Sequence, residues 1–131
     1  MSLMQWDYRL ETGDALIDSQ HQALVEALNR LHSAMLEESG RGEVGSTLKF
    51  LSDYTVSHFR MEEEMMDRHS YPDASSHRKI HGDLIVSLKE LVDGFRRDST
   101  ALTIATMIFL EEWLTKHFLG EDARFVRFLS S

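Results

Sequence analysis

Histidine and carboxylate side chains recur in this chain with the spacing of helix faces, and this spacing restricts the fold more than any other feature. The residues concerned are His21, His58-x-x-x-Glu62, His77-x-x-x-His81 and His117-x-x-x-x-Asp122. Residues four apart lie on one face of an α-helix, about 6 Å apart along its axis, so such a pair directs two donor groups into one space. Neutral imidazole and ionised carboxylate bind divalent metals such as iron, zinc and manganese. The spacing therefore predicts one shared metal centre carried by helices.

Apolar residues recur at helical spacing in four segments, which predicts an all-α fold. The predicted helices run from about Ile17 to Met35, from the apolar run at Leu48 to about Arg68, from His77 to Phe95, and from Ile104 to His117. Asp18 is the predicted N-cap of the first helix, Pro72 marks a turn before the third, and polar breaks are expected at 37–42 and 96–99. Helices of about 20 residues joined by short loops favour an up-down-up-down antiparallel four-helix bundle, here with an N-terminal arm and a short C-terminal tail.

This alternating topology tests the metal centre independently of the residue spacing. His21 lies near the start of the first helix, His58 near the end of the second, His77 near the start of the third and His117 near the end of the fourth. In an antiparallel bundle all four positions are at the same end. The topology and the ligand spacing therefore support one another.

The pair His117 and Asp122 departs from the four-residue spacing. Five residues advance a side chain by about 500° on an ideal α-helix, so these two side chains would not share a face. Gly120 lies between them, and it predicts that the helix ends or loosens there and lets Asp122 turn back towards the site.

Seven ligands exceed the usual coordination number of about four to six of one transition metal, so two ions are predicted. With both carboxylates bridging, and an oxo or hydroxo bridge added, the ligands leave one vacant position on a pair of octahedral ions. A single open position suits a small exogenous ligand. The spacing alone does not choose among iron, manganese and zinc.

Other residues near these positions have simpler interpretations. His32 is predicted to be packed or at the rim, His69 to be solvated, and Glu63 and Glu64 to form a solvated acidic face. Arg78 stands where the zinc-protease motif needs its glutamate base, so peptidase activity is disfavoured. The methionines near the site are interpreted as core filling; they are Met61, Met65, Met66 and Met107.

Composition narrows the function classes further. The 131 residues, 42% of them hydrophobic, predict a single domain over 1–131 with one core. A net charge of -8 disfavours nucleic-acid partners, and no apolar stretch approaches the roughly 20 residues of a membrane span. The chain has no Cys, so any metal must bind to nitrogen and oxygen. A cytoplasmic location is expected.

The pattern resembles the hemerythrin family, in particular its bacterial single-domain members, over nearly the whole chain. The matching residues are Trp6, the segment 17–22 that opens the first helix, His58-Phe59 with Glu62, the pair His77 and His81, and Trp113-Leu114 before His117. The resemblance implies two iron ions with an oxo or hydroxo bridge and reversible binding of O2. It implies that His77, His81 and His117 bind one iron, that His21 and His58 bind the other, and that Glu62 and Asp122 bridge them.

The resemblance also implies an apolar pocket beside the open position, which belongs to the iron with two histidines. Phe59, Trp113, Leu114 and Phe118 are the expected lining, and Phe118 departs from the aliphatic residue common in bacterial relatives. The C-terminal segment 124–129 is expected to cap the bundle, with packing on another copy as the alternative.

Three functions follow from this interpretation. The first is a protein that carries, stores or delivers O2 and also binds azide or other small anions, as a monomer or weak homo-oligomer. The second is an O2-sensing or redox-sensing domain of a signalling system. The third is a di-iron peroxidase or nitric-oxide-handling enzyme, which is disfavoured because no general base or substrate pocket is evident. We therefore predict a binding protein without catalytic residues.

Overall fold

The computed structural model describes residues 4–36, 41–97 and 104–131, and these form a helical bundle. The helices are α1 (Ala15–Leu36), α2 (Arg41–Arg68), α3 (Ala74–Arg97), α4 (Ile104–His117) and α5 (Ala123–Leu129), with a short 3-10 helix at Tyr8–Leu10. Helix α2 packs between α1 and α3, and α4 packs on α1. The predicted all-α four-helix bundle is confirmed. No helix in the described ranges is long and apolar enough to cross a membrane.

The start of α1 differs from the prediction. The Asp14 carboxylate accepts a hydrogen bond from the backbone N–H of Ile17 at 3.0 Å, so Asp14 is the N-cap and the predicted cap Asp18 is wrong. Asp18 lies in the first turn, where its carboxylate accepts hydrogen bonds from the backbone N–H and hydroxyl of Thr12 and from the N–H of Gly13. Asp18 therefore holds the preceding loop against the helix.

The predicted breaks between helices are only partly observed. Helix α2 begins at Arg41, before the apolar run at Leu48, and the predicted break residue Gly42 lies inside it. Helix α3 continues through Arg97, so residues 96 and 97, which were predicted to belong to a break, are helical. Residues 37–40 and 98–99 of these breaks lie outside the described residues.

The bundle core has two parts with the predicted metal-binding layer between them. The larger cluster includes Leu28, Leu48, Leu88, Met107 and Leu110. The smaller one closes the end of the bundle beyond the histidines and consists of Ile17, Met65, Met66, Tyr71, Phe125 and Val126. The methionines fill the core as predicted, with Met61 half-buried against the smaller cluster. The expectation that segment 124–129 caps the bundle is also confirmed.

Candidate metal centre

The structure brings all seven predicted ligand residues together in the bundle interior. Each has at most 3% of its surface exposed; they are His21, His58, Glu62, His77, His81, His117 and Asp122. Burial of so many ionisable groups is costly unless they are paired or bind metal. The site therefore needs cations or protons to be stable.

A π-helical turn explains how Asp122 reaches the centre. The chain does not end its helix at Gly120 but passes through a π-helical segment, Phe118–Asp122, directly into α5. The backbone N–H of Ala123 bonds to the carbonyl of Phe118, five residues earlier. The wider turn places His117 and Asp122 on one side. The helix loosens as predicted, but it does not end.

The ligand atoms fall into two groups that share both carboxylates. Within each group the atoms lie within 4.8 Å of one another. One group contains Glu62, His77, His81, His117 and Asp122, and the other contains His21, His58, Glu62 and Asp122. Two neighbouring cation sites with common carboxylates fit this arrangement.

Asp122 directs one oxygen to each group. Its Oδ1 lies 3.1 Å from His77 Nε2 and 3.0 Å from His117 Nε2. Its Oδ2 lies 2.7 Å from His21 Nε2 and 3.7 Å from His58 Nε2. A carboxylate that serves one ion would not need this division, so the geometry is that of a bridging ligand.

Glu62 divides its oxygens in the same way but without hydrogen bonds. Its Oε1 lies 2.8 Å from His77 Nε2 and 3.2 Å from His81 Nε2, and its Oε2 lies 3.6 Å from His58 Nε2. Despite these short distances, both oxygens and His58 Nε2 are buried without a properly oriented hydrogen-bond partner among the described residues. Unsatisfied buried polar atoms cost about 1–3 kcal/mol each, and a shared cation would satisfy them. The residues present therefore fit a pair of metal ions.

Without metal, the carboxylates hold protons on two of the histidines. Burial lowers the pKa of His77, but the hydrogen bond to Asp122 and the negative charges of the nearby Glu62 and Asp122 carboxylates outweigh it and raise that pKa to about 9. Burial likewise opposes protonation of His117, yet the charge of Asp122 and a hydrogen bond to it raise the pKa of His117 to about 10. Burial favours neutral Asp122, but cationic His117 holds the Asp122 pKa well below its usual value. Protons thus occupy positions that a metal would take.

Two histidines are oriented by side chains behind them. His58 Nδ1 lies 2.6 Å from the amide oxygen of Gln20, and His81 Nδ1 lies 2.8 Å from the carboxylate of Glu63. With Nδ1 donating to these oxygens, Nε2 of each ring carries a lone pair that faces the centre. The prediction of a solvated Glu63 is wrong, because its side chain is only 28% exposed and contacts His81. Glu64 is exposed, as predicted.

Aromatic rings pack directly on the candidate ligands. Phe59 stacks on His81 with ring centroids 3.8 Å apart, and Phe118 stacks on His21 at 3.7 Å. Trp113 lies parallel to His117 with centroids 5.3 Å apart. Three of the four expected lining residues thus contact ligand rings, and Leu114 is buried in the larger core cluster together with Phe118.

The remaining two histidines lie outside the cluster. His69 is exposed, which confirms its predicted solvation, and His32 is half-buried, as expected for a packed or rim position. Sequence spacing thus separated the clustered histidines from the others. It gave no signal for Gln20 or Glu63, because their contacts join different helices.

Comparison with known proteins shows the family to which the chain belongs. The model of the hemerythrin HHE cation binding domain matches residues 12–129. Bacteriohemerythrin of Stenotrophomonas maltophilia (strain R551-3) is 35% identical over 123 residues, which cover 93% of this chain and 78% of that protein. Bacteriohemerythrin of Methylococcus capsulatus (strain ATCC 33009 / NCIMB 11132 / Bath) is 30% identical, with 93% of each chain covered. A crystal structure of wild-type hemerythrin is 29% identical, with a TM-score of 0.91 and 99% of this chain covered. This chain therefore belongs to the hemerythrin family.

Proposed function

We propose that this protein binds O2 reversibly at two iron ions held by the buried cluster. The observation that carries the proposal is the division of oxygens in Glu62 and Asp122, each of which faces both histidine groups. In this assignment His77, His81 and His117 hold one ion, while His21 and His58 hold the other. The ferrous pair, when bound, supplies the two electrons that reversible O2 binding requires.

The two ligand groups would leave room for a small ligand on one side only. Three histidines with the two carboxylates would hold one ion, whereas only His21 and His58 with the same carboxylates would hold the other, so the second ion would have a position free for O2. Phe118 stacks on His21 and is 1% exposed, so it would border this position.

The surroundings favour binding over oxidative chemistry. Phe59, Leu114 and Phe118 are buried, and they exclude the water and protons that promote autoxidation. A shell of five histidines and two carboxylates also supplies less negative charge than the carboxylate-rich sites of di-iron proteins that cleave O2. We accordingly assign no catalytic residue, and the role is that of a carrier, store or delivery protein rather than an enzyme.

The family relatives support this function through their names, bacteriohemerythrin and hemerythrin. No specific observation favours a sensor or a peroxidase. Azide binding, a cytoplasmic location, a single domain over 1–131 and a monomeric or weakly oligomeric state stay predictions.

The test is an absorption spectrum of protein loaded anaerobically with ferrous iron, recorded before air, after air and again after deoxygenation. Two irons per chain and a visible band that appears with air and disappears on deoxygenation are expected. A matched Glu62→Ala variant is expected to lose the band and much of the iron. One iron per chain, or immediate irreversible oxidation of the native protein, would contradict the proposal.

A further inference from the structure

The two oriented histidines differ in the charge of the group behind them. His81 Nδ1 donates to the carboxylate of Glu63, whereas His58 Nδ1 donates to the neutral amide oxygen of Gln20. Both contacts fix the ring and its tautomer. Only the contact with Glu63 adds negative charge, so the two sides of the centre are electrostatically unequal.

Glu63 also connects the buried ring to the protein surface. Its second oxygen, Oε1, lies 3.4 Å from Nε of Arg78, and Arg78 also binds Asp67. The exposed fractions increase outward, from 0% for the His81 side chain through 28% for Glu63 and 41% for Arg78 to 63% for Asp67. A cation at the surface thus lies against the carboxylate that orients a buried ligand.

The effect of such a carboxylate on a bound metal follows from simple electrostatics. A carboxylate that accepts the Nδ1–H of a ligating imidazole makes that ligand more basic and stabilises the higher charge of the metal. An amide orients the ring without this charge. Arg78 neutralises part of the Glu63 charge and so opposes its effect.

We propose that Glu63 is a positioning residue that presents His81 to iron and lowers the reduction potential of the pair, with Arg78 limiting that decrease. This inference rests on the proposed di-iron function. It assigns to Glu63 and Arg78 control over how firmly the reduced protein retains its electrons, and hence over its O2 affinity. The polar chain from His81 to Arg78 is the observation that carries it.

Substitutions separate orientation from charge. Glu63→Gln keeps an acceptor oxygen for His81 and removes the charge, so the midpoint potential is expected to increase while iron stays bound. Glu63→Ala removes both the acceptor oxygen and the charge. The midpoint potential is again expected to increase, and iron release to a chelator is expected to become about 10–100-fold faster. Glu64→Gln is the matched control, because it removes the same charge from the adjacent exposed residue.

Arg78→Gln tests the direction of the shift in midpoint potential. Loss of this cation is expected to lower the midpoint potential, opposite to Glu63→Gln. A purely structural role for the network would not give opposite shifts. Because Arg78 lies at the surface, this variant is expected to fold even if the Glu63 variants do not.

The experiment is spectroelectrochemical titration of the iron-loaded native protein and variants at pH 7, with iron release measured in parallel. Opposite shifts for Glu63→Gln and Arg78→Gln, with none for Glu64→Gln, support the proposal. Equal shifts in Glu63→Gln and Glu64→Gln, or an unchanged or increased potential in Arg78→Gln, overturn it. A native protein that holds two irons but does not bind O2 reversibly contradicts the proposed function alone, whereas one that holds no iron pair overturns both.

Discussion

Replacement of Gly120 by alanine tests whether the π-helical turn depends on a glycine. Gly120 lies within Phe118–Asp122, and a Cβ added to it would meet no atom within 4 Å. Its φ is not in the left-handed region, which among the described glycines only Gly13 adopts. Alanine therefore fits the folded backbone and restricts the unfolded chain. We expect Gly120→Ala to stabilise the protein by about 0.4–1 kcal/mol.

Gly13→Ala is the matched control for this substitution. A Cβ at Gly13 would also meet nothing within 4 Å, but its φ is 100°. Any change in stability at Gly13 would thus come from the backbone conformation rather than from a clash. A left-handed conformation costs an L-residue about 1–2 kcal/mol, so we expect Gly13→Ala to be destabilising.

The assay is thermal unfolding of the metal-free proteins, with iron per chain measured after loading. A gain of 0.4–1 kcal/mol corresponds to an increase in Tm of roughly 2–4 °C for a chain of this size, and Gly13→Ala is expected to lower the Tm. Iron content is expected to stay at the native level in both variants. A lower Tm or a loss of iron in Gly120→Ala would refute the reasoning, since it would mean that the turn requires glycine at this position.

Three further predictions concern the metal centre. His77→Ala is expected to impair assembly of the whole centre, whereas His69→Ala, at an exposed position, is expected to leave iron content intact; equal losses by metal analysis would mean that the histidines are misassigned. Phe118→Ala is expected to destabilise the fold by about 3–5 kcal/mol. It is also expected to accelerate azide binding to the ferric protein, measured by stopped-flow, without loss of iron. Unchanged azide kinetics would place the entry route elsewhere. In the metal-free protein the folded state raises the pKa of His77 to about 9 and that of His117 to about 10. The stability that this contributes is complete below the unfolded pKa of 6.5 and is lost as the pH rises through 9 to 10. The Tm of metal-free protein is therefore expected to decrease as the pH rises to 10. Loaded protein, whose ligands carry no extra proton, is expected not to show this decrease, and parallel pH profiles for the two forms would contradict the assignment.

Spacing along the chain predicted the clustered side chains because helix geometry determines which residues share a face. The pair His58 and Glu62 and the pair His77 and His81 needed only the four-residue repeat, and the alternating helices placed both pairs at one end. Gln20 and Glu63 were not predicted, because their contacts depend on how two helices are rotated against each other. No periodicity within one helix contains that information.

The errors at helix ends have a local cause. Asp14 and Asp18 both stand near the start of α1, and either residue type can cap a helix. Backbone geometry at Gly13 decides between them, because the loop folds back so that Asp18 binds Thr12 and Gly13. The early start of α2 was missed because few apolar residues precede Leu48 to mark its first turns.

The π-helical turn connects the candidate metal centre to helix α5, which packs over one end of it. The turn rotates the chain so that Asp122 faces the histidines, and the same rotation determines which face of α5 is inward. Phe125 is 0% exposed, lies edge-on to His77 at 6.4 Å, and packs against Tyr71 with ring centroids 4.9 Å apart. This packing covers the ligand side chains at this end of the bundle. The residue that faces both ligand groups and the helix that covers them at this end are therefore positioned by one backbone feature, so a change in the turn would affect the ligand position and the covering helix together.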